Sequence, residues 1–182
     1  MKKILFAITK ILFAITLIAI LYFLWPSFHL VKTADRTYPE YPLSKQLKER
    51  IAKETAELPY DIGVIEYSFW LTNELLEFSE KNDIENGKAN CIGYTRFYTS
   101  VCNYALTVNE YEGRVKPVVG YVTWCGLNLC DIAKFIVPKK YKGFVKDHDF
   151  VELEYDDRYV YIDPTFYDMM GSECTTEVNK CQ

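Results

Sequence analysis

The sequence predicts an α+β fold in which helices come first and antiparallel strands follow, behind an apolar N-terminal segment read as one transmembrane helix. Three observations predict it. Helical periodicity runs through Ser44–Glu57 and Gly63–Lys81 and again from Cys91 to about Val108. Strand patterns rich in Val, Ile, Tyr and Phe occupy Val115–Trp124, His148–Tyr155 and Arg158–Ile162. With 182 residues, 49% hydrophobic and 16% aromatic, and no internal Pro/Gly/Ser linker, the chain can bury one ordinary core.

The N-terminus reads Met1-Lys2-Lys3, then an apolar run to Trp25 interrupted by Lys10, with Pro26 after it. Within the run the heptad Lys3–Thr9 repeats identically as Lys10–Thr16. Ile11–Trp25 alone falls short of the about 20 residues a membrane span needs. Inclusion of Ile4–Thr9, or of Phe28–Val31 beyond the proline, makes up the length. An uncleaved signal anchor and a cleaved secretory signal both fit. The lack of an A-x-A-like site after Trp25 favours the anchor, with Lys2, Lys3 and Lys10 held inside and the domain outside the cytoplasm. The expected division is residues 1–30 as anchor, 31–58 as a juxtamembrane segment with a helix, and 59–182 as the folded domain.

Ser44–Glu57 is amphipathic and stopped by Pro59. Gly63–Lys81 carries an apolar stripe through Val64, Tyr67, Trp70, Leu71, Leu75 and Phe78. At Asn90-Cys91-Ile92-Gly93-Tyr94 an asparagine suited to cap a helix directly precedes a cysteine. The free N–H groups and positive end of the helix dipole favour an anion there, which raises the thiolate fraction of a thiol.

Downstream, His148–Tyr155 and Arg158–Ile162 flank Asp156-Asp157. A two-residue turn there sets Tyr155 opposite Arg158 and puts His148 and Asp163 on one face as diagonal neighbours, roughly 7–8 Å apart at Cα. The same register gathers Val151, Leu153, Val160 and Ile162 on the other face, so one pairing serves both the apolar and the polar requirement. A cysteine opening a helix, a histidine and an aspartate make a nucleophile, its proton partner and the group that orients the ring.

These residues resemble the transglutaminase-like superfamily. Its Cys stands in a C-x-G-Y setting, as in Cys91-Ile92-Gly93-Tyr94. Its His stands in an H-x-aromatic-V-E strand, as in His148-Asp149-Phe150-Val151-Glu152, and its Asp in D-P-T, as in Asp163-Pro164-Thr165. Gly113–Tyr121 is similar to the family's strand after the Cys helix, and the resemblance spans roughly residues 60 to 170. It implies a papain-like/transglutaminase-core fold and a catalytic triad of Cys91, His148 and Asp163. It implies a cysteine hydrolase or acyltransferase that forms an acyl-enzyme on a peptide or carboxamide, with hydrolysis favoured over crosslinking. No cofactor and no metal are implied. Asp149 and Phe150 depart from the small and Trp residues common in the family, and Asp149 adds negative charge beside His148. The backbone N–H of Cys91 is one oxyanion donor, and sequence places no second. The rival is a catalytically silent envelope module that binds a peptide or glycan.

Removing Lys2, Lys3 and Lys10 from the 21 basic residues leaves 18 against 25 acidic ones, a net charge of −7, which disfavours nucleic acid as a partner. Peptide or protein substrates and the membrane are the expected partners. With only His29 and His148 in the chain there is no H-E-x-x-H site, and there is no phosphate-binding glycine loop. A disulfide-handling thiol protein would need a C-x-x-C, which the chain lacks.

Cysteine usage suits an oxidising compartment. Cys125 with Cys130 and Cys174 with Cys181 are the preferred pairs among three possible connectivities, with a four-thiolate zinc site as the alternative. Cys102, about 16 Å from Cys91 along one helix, is expected to be buried as a small apolar residue. The basic and aromatic stretch Val137–Gly143 reads as a solvated loop, with a substrate cleft as the functional alternative.

Overall fold

Antiparallel strands curled into a trough carry helices on their convex side. The computed structural model describes residues 10, 13–17, 19–20, 28–58, 61–124, 126–129, 131, 147–155, 158–170 and 173–179. The elements in chain order are β1 (Phe28–Asp35), α1 (Lys45–Thr55), α2 (Asp61–Leu75), β2 (Glu77–Phe78), a 3-10 turn (Ile84–Asn86) and β3 (Lys88–Ala89). There follow α3 (Cys91–Val108), β4 (Val115–Trp124), β5 (Leu127–Asn128), β6 (His148–Tyr155), β7 (Arg158–Ile162), α4 (Pro164–Met170) and β8 (Thr175–Asn179). The main sheet runs β1-β4-β6-β7-β8, with β5 folded back on β4, and every pairing in it is antiparallel. Its two outer strands turn toward each other, and Leu30 N donates to Thr176 Oγ1 at 2.8 Å.

Alternation along each strand divides the core into two layers. Val151, Leu153, Val160 and Ile162 face the helices, where Tyr94, Phe97, Tyr98, Val101, Cys102, Ala105 and Leu106 of α3 meet them. Leu30, Val118, Val122, Phe150 and Tyr161 face the trough with Phe166 and Cys174. Each fully buried aliphatic or aromatic side chain of this kind contributes roughly 1.5–3 kcal/mol. The register Tyr155↔Arg158 through Val151↔Ile162 is the one the sequence predicts, and the turn residues Asp156 and Asp157 lie outside the described residues.

Leu30 belongs to the inner core layer and Ile51 of α1 to the helical one, so residues 28–58 pack into the same body as the residues after 59. Phe28–Val31 lie in β1, paired with Tyr121–Trp124, rather than extending a membrane span. Most of residues 1–27 lie outside the described residues, and among those described no helix is long and apolar enough to cross a membrane.

The second helix ends at Leu75, not Lys81, because Glu77 N donates to Gly87 O and Ser79 N to Ala89 O, which draws the backbone into a parallel ribbon with β3. Its buried residues are Val64, Ser68, Phe69, Leu71 and Thr72, while Trp70 and Leu75 of the expected stripe are exposed. Ser68 and Thr72 can be buried because their hydroxyls donate to the carbonyls of Val64 and Ser68, so no polar group is left unmatched.

Cys174 is a free thiol at 2% exposure, turned into the trough, and its expected partner Cys181 lies outside the described residues. Burial, and then the nearby Asp163 charge, push it up to about 12. Cys102 is also free and fully buried, and burial pushes it up to about 12 against the hydroxyls of Ser68 and Tyr98. Cys125, Cys130, Cys181 and the stretch Val137–Gly143 lie outside the described residues.

Candidate functional site

Cys91 is the first residue of α3, and Asn90 caps that helix by accepting from the N–H groups of Ile92 (3.0 Å) and Gly93 (3.3 Å). Asn90 is itself held by its own N–H donating to Asn82 Oδ1 at 2.9 Å. The Tyr94 N–H bonds to Asn90 O, so the Cys91 N–H is the first-turn donor without an acceptor among the described residues. Gly93 is required sterically, since a Cβ there would collide with Asn82 Oδ1 and Ala89.

His148 opens β6 opposite Gly120 of β4. A Cβ at Gly120 would run into the carbonyl of Val31, so glycine lets β1 close tightly against the strand that carries His148. The imidazole Nε2 lies 2.5 Å from Asp163 Oδ2. Asp163 is fully buried, and its other oxygen, Oδ1, accepts from Thr165 N (3.0 Å) and Phe166 N (3.1 Å) as the cap of α4. Its own N–H donates to Cys174 O at 3.1 Å. One carboxylate thus fixes both a helix and a ring.

The third member of the frame is Tyr94. Its fully buried hydroxyl lies within hydrogen-bond reach of Leu76 O (2.8 Å) and Asp168 Oδ2 (2.9 Å). Asp168 belongs to α4, so α3, which begins at Cys91, is pinned to the helix that Asp163 caps. Burial, and then Asp168, raise the Tyr94 hydroxyl well above the ordinary phenol value.

With Nε2 committed to Asp163, the remaining ring nitrogen Nδ1 is the one free to serve the thiol. Burial pushes His148 down, but Asp163 and then Cys91 outweigh it through charge and hydrogen bonding, and the imidazole titrates well above its ordinary value. The three residues singled out in the sequence are therefore brought to one place: Asp163 on the ring and the ring on the thiol.

A second carboxylate, Asp149, reaches the thiol. It is 2% exposed, and its Oδ2 stands 4.0 Å from the Cys91 sulfur. Oδ1 accepts from the Tyr38 hydroxyl at 2.7 Å and lies 3.5 Å from Arg36 Nε, whose guanidinium is also 3.9 Å from Asp147. Burial raises the Asp149 carboxyl above its ordinary value, while Tyr38, Arg36 and His148 pull the other way.

Arg36 and Tyr38 belong to an extended strap between β1 and α1. The strap is tied down by Arg36 N to Pro117 O (3.1 Å), Arg96 Nε to Pro39 O (3.3 Å) and Tyr41 N to Ser100 Oγ (2.8 Å). Nothing in the sequence points to Tyr38, which is one of fifteen tyrosines in the chain and lies 53 positions before the cysteine.

On the trough face beyond Phe150, the buried Glu152 is held by Lys32 and Lys116, each at 2.7 Å. Phe150 separates this pair of contacts from His148, its ring centroid 6.4 Å from the imidazole.

Compared with models of known protein families, with proteins of known function and with solved structures, the chain matches none.

Proposed function

We propose that the protein is a cysteine enzyme of transglutaminase-like type with a papain-like core. Cys91 attacks a peptide or carboxamide carbonyl, and the acyl-enzyme is resolved by water more readily than by an amine. Cys91 is the nucleophile, His148 the base that takes the thiol proton and then protonates the leaving nitrogen, and Asp163 the group that orients the ring. The Cys91 N–H supplies one oxyanion donor. In balance, the sulfur–carbon bond forms as the carbon–nitrogen bond breaks and the proton passes through His148 to the departing amine. Water then restores the thiol. The single observation that carries this reading is the His148–Asp163 contact at 2.5 Å, which leaves the other ring nitrogen for the thiol at the start of α3.

The apolar N-terminal run belongs to the same proposal, as a membrane anchor with the catalytic domain on the extracytoplasmic side. The alternative of a silent, peptide- or glycan-binding module draws support from Asp149, whose oxygen 4.0 Å from the sulfur opposes a thiolate there.

The test is the pH dependence of Cys91 alkylation, followed by mass spectrometry in the wild type and in His148→Ala. Rapid labelling at pH 6 that the substitution abolishes supports the enzyme. Slow labelling that the substitution leaves unchanged favours the silent module.

A further inference from the structure

β8 extends the sheet beyond the helices that cover it. Thr175 and Glu177, which sit opposite Ile162 and Val160 on the helix-facing side, are both exposed. Between α2 and these strands lies a groove of about 450 Å³, a size within the roughly 300–1,000 Å³ usual for ligand clefts, and none of Cys91, His148 or Asp163 lines it. Ile62, Ile65, Phe69 and Trp70 of α2 form one wall, and Leu153, Val160 and Ile162 of the sheet form the other. Its charged lining is Glu66, Glu173, Glu177 and Arg158. We infer that this groove is a docking site for a basic amphipathic peptide segment of a partner protein. An apolar side chain of that segment seats between α2 and β7, and a lysine or arginine beside it faces Glu66 and Glu173.

α2 is apolar on two sides. Val64 and Leu71 pack in the core, while Ile62, Ile65, Phe69 and Trp70 recur at i, i+3, i+7 and i+8 along the groove. A surface helix ordinarily carries one such stripe, and a helix apolar all round is a buried one. Here the second stripe is only partly covered, with Ile62 56% and Trp70 49% exposed. Trp70 is nevertheless fixed in place, since its ring meets those of Phe69 and Tyr167 edge-on at 5.6 and 5.1 Å. A rigid apolar wall open to water at the mouth of a cleft is preorganised to bind.

Charge selects the occupant. Arg158 is held by Glu177 at 2.7 Å, which leaves Glu66 and Glu173, and neither meets a cation among the described residues. Three carboxylates against one guanidinium give the lining a net charge of −2. A second copy of the chain meeting this face across a two-fold axis would set that excess against itself, and an anionic lipid surface would be repelled as well. A basic amphipathic segment satisfies both halves of the groove. Its apolar side chain covers Ile62, Val160 and Trp70, while its cation meets Glu66 or Glu173 close to the exposed indole.

The experiment uses the full chain and fluorescein conjugates of three peptides, (Lys-Leu)3, (Glu-Leu)3 and (Lys-Ser)3, with binding read by anisotropy. (Lys-Leu)3 is expected to bind at least about tenfold more tightly than either of the others, since one lacks the cation and the other the apolar side chain. Its lead over (Glu-Leu)3 should shrink with added salt and be lost in the double variant Glu66→Lys, Glu173→Lys. Its lead over (Lys-Ser)3 should be lost in the double variant Ile62→Ser, Trp70→Ser. Every substituted side chain is exposed, and circular dichroism checks that both variants keep the fold. Equal binding of the three peptides, or leads that survive both variants, overturns the inference. So does self-association of the chain in analytical ultracentrifugation that Ile62→Ser, Trp70→Ser abolishes, which gives the face to a second copy.

Discussion

Asp149 Oδ2 lies 4.0 Å from the Cys91 sulfur while Oδ1 of the same carboxylate accepts from Tyr38 at 2.7 Å. Cys91 thus stands between two carboxylate-bearing arms, Asp163 acting through His148 and Asp149 facing it directly. At that separation a negative charge on the sulfur and one on Asp149 would repel each other in a partly dry site.

Asp149→Asn keeps the shape of the arm and removes its charge. Because burial raises the Asp149 carboxyl in the folded state, folding favours its protonated form. That contribution is fully present below the ordinary carboxylate value and is lost as pH rises through the raised one. The variant is therefore expected to melt higher than wild type at pH 7 and equally at pH 3.5, as read by circular dichroism. Iodoacetamide should label its Cys91 about threefold faster or more at pH 7, since the opposing charge has gone.

Asp163→Asn separates the two duties of Asp163. The amide oxygen can still accept from Thr165 and Phe166, so α4 keeps its cap, but the imidazolium loses its counter-charge. With the folded value of His148 raised, its stabilising contribution is complete below the ordinary imidazole value of about 6.5 and disappears as pH rises through the folded one. In Asp163→Asn the His148 titration, followed by NMR against His29 as the other histidine, should move down, and the dependence of stability on pH over that window should flatten. Asp163→Ala should cost about 1 kcal/mol more through the lost cap.

Gly120→Ala tests the seam between β1 and the strand beside His148. A methyl group there collides with the Val31 carbonyl, a backbone atom that cannot rotate away, so β1 must separate from β4. Urea unfolding should show a loss of about 2 kcal/mol or more. Because Gly120 pairs with His148, alkylation of Cys91 should lose part of its dependence on that histidine.

The hairpin was legible because a period-two pattern and a two-residue turn admit one register, and that register fixed the relation of His148 to Asp163. The start of α3 was legible from Asn90, whose capping chemistry is local. What escaped depends on distant partners. Ser68 and Thr72 look like surface residues until their i−4 bonds are seen, so the buried face of α2 was rotated from the expected stripe. β1 merged into the apolar run before it, since Phe28-His29-Leu30-Val31 carries no mark that separates a strand from a span. Asp149 was noticed as a charge beside His148, but its approach to Cys91 depends on how α3 lies on the sheet. β2 and β3, two residues each, are too short to leave a pattern.

Leu30 and Thr176 join strands made 146 residues apart, so the trough closes only when β8 is present. β8 follows the aspartate that orients the ring, and Cys174 O, just before β8, receives that aspartate's N–H. During synthesis Cys91 emerges well ahead of the residues that complete its surroundings. Contacts of such sequence separation form late and slowly. A nascent chain that stops short of β8 therefore holds Cys91 without those surroundings, and removal of β8 should loosen the His148–Asp163 frame without touching the cysteine.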